Sequence, residues 1–322
     1  MNNNSHAERL DYIDIFRALG IILMVMGHIG FGSKFDKFIH AFHMPMFFWI
    51  SGFFYKKRNI GLKEFTKKKF KTLLVPYCFW GIVHYIINLR WDNSLIPLIR
   101  LLTINTDGLP IAGALWFLTA LFFTDVFYFL LDKWNMKWLI IPLVLVGSVA
   151  DHTLPYPLPW ALSASFVGVG LFGFGNISRT YAEKLEPLMN MSWISCLLTG
   201  LVTGFIIFKN GYVNMRAGVY SFIPLFWINA LLSIAVGISI AKNIKKITKG
   251  NLLEKILTAI GRNSIVYVCL NQLIILLVTP IVNFVKLDEF TRKIVILVFS
   301  LTCLYWLAIV LTKPKVKILI GK

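Results

Sequence analysis

Ten apolar runs separated by short polar connectors leave this chain little to become except a helical bundle embedded in lipid. They fall at roughly 15–31, 39–55, 73–89, 112–131, 138–150, 161–175, 191–208, 221–241, 263–282 and 294–312. A straight helix needs about 20 apolar residues to cross a bilayer core, and in hydrocarbon only helices or closed barrels satisfy their own backbone. Several runs are shorter than that, and Pro155, Pro157 and Pro159 crowd the turn between the fifth and sixth. Only 15% of residues are charged and 57% are hydrophobic, whereas soluble globules carry about 25% charged residues. No polar stretch is long enough to fold separately, so residues 1–322 are expected to form a single all-α domain, a polytopic membrane helical bundle of about ten transmembrane helices.

The basic residues give that bundle an orientation. With the N-terminus in the cytoplasm, 24 of the 33 Lys and Arg residues fall on the cytoplasmic side. Such an excess is the positive-inside pattern, and it predicts an even number of spans with both termini cytoplasmic. Asp11, Asp14 and Arg17 interrupt the order of a cleavable signal, so the first run is expected to remain as a span. The net charge of +18 is spread over the connectors without a recognised nucleic-acid motif, and membrane topology accounts for it better. Cys78, Cys196, Cys269 and Cys303 lie in apolar runs without paired or metal-ligand spacing and read as packing residues.

Between Ile15 and Phe31 only Arg17 and His28 carry ionisable side chains. Such groups in a membrane-length run are costly and mark a functional site by default. Eleven residues along a helix amount to about three turns with an offset of about 20°, so both side chains project from one face, about 16 Å apart along the axis. The expected topology puts Arg17 near the cytoplasm and His28 toward the outer face.

The Arg-x10-His spacing is followed by Phe42-His43-Met44-Pro45-Met46-Phe47-Phe48-Trp49-Ile50-Ser51-Gly52-Phe53-Phe54, then by Leu73-Leu74-Val75-Pro76-Tyr77, Ala114-Leu115-Trp116-Phe117-Leu118 and Ile260-Gly261-Arg262-Asn263-Ser264. In this order the motifs resemble the acyltransferase 3 family of bacterial membrane acyltransferases, in particular the branch similar to fucose 4-O-acetylase-like sugar O-acetyltransferases. The resemblance covers essentially the whole chain. It implies an inner-membrane enzyme that takes an acyl group from acyl-CoA, with no tightly bound cofactor. Relatives often carry a histidine near Asn271; an amide there hydrogen-bonds but cannot serve as a base.

Acyl transfer to a hydroxyl needs a base or a nucleophile, and histidine serves as either. His28 is the candidate catalytic residue, against the alternative of a hydrogen-bonded packing histidine. Arg17 can grip phosphate through a permanently charged fork, or instead snorkel or pair with Asp14. The basic stretch 56–72, with Arg58 and Lys69, orients the protein on anionic lipid or contributes to holding the phosphates of the donor. His43 is expected to orient the acceptor or His28, with Pro45 bending the helix beside it. His40 and His43 share a face without further ligands at a metal spacing, so no metal is expected. Trp116 is either a sugar-stacking platform or an interfacial aromatic, and Asp125 needs a buried partner the sequence does not name. His84 is a polar lining or a satisfied core group. Connectors 90–112 and 209–216, the latter with Arg216, are expected to roof an acceptor site together with Asn271.

The resulting expectation is an O-acetyltransferase that uses acetyl-CoA to modify a glycan or lipid-linked sugar, in contact with membrane lipids and without nucleic acid. Homo-oligomerisation stays open. The rival is a transporter or flippase of a polar or lipid-linked solute, in which the same buried polar residues would line a pathway.

Overall fold

The computed structural model describes residues 10–322 except 58, 92, 108, 110 and 112. Helix α1, Asp11–Ile29, sits at the centre, packed against later helices on several sides. Ile13, Ile15, Phe16, Ala18, Ile21 and Val25 are all buried on it. It ends at Gly30, which adopts φ 84° and returns its N–H to Met26 and Gly27, a left-handed C-cap that costs glycine nothing. His28 therefore lies in the last turn.

Helix α2 (Ser33–His40) and α3 (His43–Phe53) follow. The sequence predicts one bent helix over 39–55; instead the chain breaks at Ala41 and Phe42, and Pro45 falls in the first turn of α3. Proline is tolerated there because its missing N–H has no intrahelical partner to lose. Helix α4 (Leu62–Lys69) runs through a π-helical turn at Phe70–Leu74 into α5 (Val75–Asn88). This basic helix is docked on the protein, with Phe65 stacked 4.2 Å from Phe129. Short α6 (Ile96–Leu102), then α7 (Trp116–Lys133), α8 (Ile140–Thr153), α9 (Leu162–Thr180) and the brief α10 (Ala182–Leu185) complete the first half. The second half comprises α11 (Trp193–Asn210), α12 (Ile223–Thr248), α13 (Leu252–Arg262), α14 (Ser264–Asn283) and α15 (Glu289–Leu311).

The described residues form an all-α bundle in which seven helices are long and apolar enough to cross a membrane, as expected of a multi-pass membrane protein. Of the remaining expected spans, 39–55 is split, α7 carries Asp125, Asp132 and Lys133, and α8 has 14 residues.

Helix α3 is seated by α9. A Cβ on Gly52 would overlap the carbonyl oxygen of Phe172, and one on Gly175 would overlap that of Trp49, so the two backbones touch. Trp49 Nε1 donates to Ser178 Oγ at 3.2 Å across the same contact. Gly52→Ala should therefore cost about 2 kcal/mol through overpacking, read as a lower unfolding midpoint in detergent; an unchanged midpoint would mean the contact yields freely.

Candidate active site

His28 lies between two cavities. The first is a small chamber of about 130 Å³ whose lining includes Met24 and His28 from α1, His43 and Phe47 from α3, and Trp116 and Phe117 from α7, with His40, Asn214 and Arg216 at its rim. The second, about 450 Å³, is lined by His28 and Arg216, by Leu109, Ile111 and Gly113, and by Gln272, Ile275, Leu276 and Thr279 of α14. His28, Gly113 and Arg216 face both.

The roof over these cavities is built by the connectors singled out from sequence. Arg216 Nε donates to Thr106 O at 2.5 Å, and Gly113 N donates to Gln272 Oε1 at 2.5 Å. Asn105 is buried and donates to Tyr77 Oη (3.0 Å) and Thr119 Oγ1 (2.8 Å). Tyr212 Oη donates to Asp36 Oδ2 at 3.2 Å, which ties the 209–216 connector to α2. Burial pulls the Arg216 guanidinium below its ordinary pKa while Asp107 opposes the shift; a guanidinium so placed still stays charged near neutrality.

The histidines differ in a way that matters for chemistry. His43 Nδ1 sits 2.7 Å from Ile39 O, and His40 Nδ1 lies 2.9 Å from Asp36 O. A carbonyl only accepts, so in each ring Nδ1 carries a proton, and in a neutral His43 Nε2 is the nitrogen that keeps the lone pair. His84, buried, has Nε2 2.8 Å from Cys269 O and takes no part in either cavity. Among the described residues nothing hydrogen-bonds the His28 ring.

At the other end of α1, Arg17 lines a third cavity of about 300 Å³ with Ser51, Tyr55, Lys56, Lys68, Lys69 and Asp125. Four cations face one carboxylate there, and Lys69 Nζ pairs with Asp125 Oδ1 at 2.7 Å. Arg17 Nη1 also donates to Asp14 Oδ1 (3.1 Å) and to Gly261 O (3.3 Å), and Arg262 Nε reaches Asp14 Oδ2 at 3.1 Å. The pairing with Asp14 and the place in a basic cavity therefore coexist. Through these contacts the Ile260–Ser264 motif, at the end of α13, orients Arg17.

The same three helices line both the Arg17 cavity and the His28 chamber. On α3 the linings are one turn apart, at Phe47 and Ser51, and on α7 likewise at Phe117 and Leu121, a step of about 6 Å.

A family model described as "Acyltransferase domain" matches residues 10–312, nearly the whole chain. The chain belongs to the acyltransferase 3 family. This makes it a membrane acyltransferase. No curated protein and no solved structure gives a significant match.

Of the site residues expected from sequence, this acyltransferase brings His28, His43, Trp116 and Arg216 together at one end and Arg17 and Lys69 together at the other. Arg58 lies outside the described residues. Asn271 does not line the cavities at His28; its Nδ2 donates to Tyr267 O and Val268 O of its own helix. The neighbouring amide, Gln272, is the one that reaches the site. Asn214, in the 209–216 connector, lines the chamber as expected of that stretch, whereas Tyr55 and Thr279 also line cavities and carried no sequence signal beyond their polarity.

Proposed function

We propose that the protein is an inner-membrane O-acetyltransferase, one catalytic unit that moves an acetyl group from cytoplasmic acetyl-CoA to a hydroxyl of an extracytoplasmic or lipid-linked glycan. The observation that carries this reading is the His28 imidazole, without a hydrogen-bond partner among the described residues, between two cavities and on the same α1 face as Arg17. The positive-inside bias puts both termini and the Arg17 cavity in the cytoplasm. The phosphates of CoA then meet Arg17, Lys56, Lys68 and Lys69, and guanidinium and ammonium groups are suited to hold them. The thioester arm extends between α3 and α7 toward His28.

In this scheme His28 accepts the proton of the acceptor hydroxyl as its oxygen attacks the thioester carbonyl. The C–S bond breaks, and the imidazolium returns that proton to the departing CoA thiolate. His43, with Nε2 as its basic nitrogen, and Trp116 position the reacting groups.

The test uses purified protein in nanodiscs, acetyl-CoA labelled in the acetyl group, and a glycan extract. Label should enter the glycan as free CoA thiol appears in equal amount. A solute carried across vesicles without any use of acetyl-CoA would replace this reading with a transporter.

A further inference from the structure

The two cavities at His28 differ in how they are walled. Most of the residues around the chamber are buried, among them Met24, His43, Phe47, Trp116 and Phe117. Among the described residues lining the second cavity none is buried, and Leu276 is 40% exposed. Its neighbours Leu277 and Ile281 are more exposed still, and α14 is one of the helices long and apolar enough to cross a membrane. An exposed apolar flank on a helix that crosses a bilayer meets hydrocarbon, which is the basis for reading the mouth of the second cavity beside Leu276 as lateral.

Its lining is also graded. His28, Arg216 and Gln272 supply polar groups beside the imidazole, while Leu109, Ile111, Ile275 and Leu276 supply the apolar flank. The α3 and α7 helices that connect the chamber to the Arg17 cavity contribute nothing to it. Transfer between two substrates requires that both reach one base without displacing each other. Two cavities that share only His28, Gly113 and Arg216 meet that requirement.

We propose that the acceptor is a sugar carried on a lipid, and that it reaches His28 laterally between α14 and the facing residues Leu109, Ile111 and Gly113. The sugar lies against Gln272 and Arg216, and the hydrocarbon passes Ile275 and Leu276 into the bilayer. The chamber on the α3 and α7 side is left to the acyl thioester. This assignment rests on the acyltransferase reading above and adds to it the acceptor class and its route.

The experiment compares two acceptors with labelled acetyl-CoA in nanodiscs: a lipid-linked sugar extract, and the free oligosaccharide released from the same extract. Leu276→Trp fills the mouth of the cavity, and Leu277→Trp adds equal bulk one residue along, outside the lining. Wild type should label the lipid-linked sugar in preference to the free one. Leu276→Trp should lower the ratio of lipid-linked to free labelling at least tenfold, and Leu277→Trp should leave it unchanged. Thr279→Phe, at the same mouth, serves if Leu276→Trp does not fold. An unchanged ratio in the mouth variants, or wild type that labels both acceptors equally, overturns the lateral route while leaving the acyltransferase reading in place. Wild type that consumes no acetyl-CoA with either acceptor overturns that reading, and the route with it.

Discussion

His28→Gln should lower acetyl transfer by about 10²- to 10⁴-fold, the range that a positioned acid–base group contributes, while leaving the unfolding midpoint close to that of wild type. Both halves of the expectation come from one observation. The ring has no hydrogen-bond partner among the described residues, so its replacement by another polar side chain of similar size breaks no native hydrogen bond and leaves no protein group orphaned. His43→Gln makes the contrast, because it removes the donor to Ile39 O at a buried site. The measurement is initial-rate transfer of labelled acetyl alongside thermal unfolding in the same detergent. Transfer retained within a few fold of wild type would remove His28 from the chemistry.

Lys69→Met is expected to be the most damaging single change to stability. It leaves the Asp125 carboxylate, buried in α7, without the ammonium 2.7 Å away. Breaking a buried pair from one side costs about 3–5 kcal/mol, because the remaining charge stays buried. The Lys69 side chain is 30% exposed, which places the expected loss at the low end, about 3 kcal/mol. Lys69→Met combined with Asp125→Leu should recover most of the loss, since replacing both charges removes the orphan. Denaturant titration of the three proteins in one detergent decides it: equal midpoints for wild type and Lys69→Met would mean that the pair contributes little. Where protein survives, the apparent affinity for acyl-CoA should fall, as Lys69 also lines the Arg17 cavity.

What could be read from the sequence, and what could not, follows from the range of each interaction. The shared face of Arg17 and His28 is helical arithmetic within one element, and both line cavities along α1. Membrane character and the basic connectors follow from composition alone. The partner of Asp125 lies in α4, more than fifty residues earlier, and no local periodicity connects the two. Asn271 and Gln272 are adjacent, about 100° apart around a helix. Choosing between them needed the rotation of α14, which its packing against α1 and α15 determines. Pro45 was legible as a disruption but not as a helix start, because the break before it depends on how α2 folds over the end of α1.

The hold of residue 261 on Arg17 bears on the order in which the protein matures. A ribosome delivers α1 to the membrane before α13, with the arginine in place but without the Gly261 carbonyl and the Arg262–Asp14 pair that help to orient it. Those contacts become available only once α13, more than two hundred residues later, has been synthesised. Until then Arg17 is held by Asp14 of its own helix, so its orientation in the cavity is completed late.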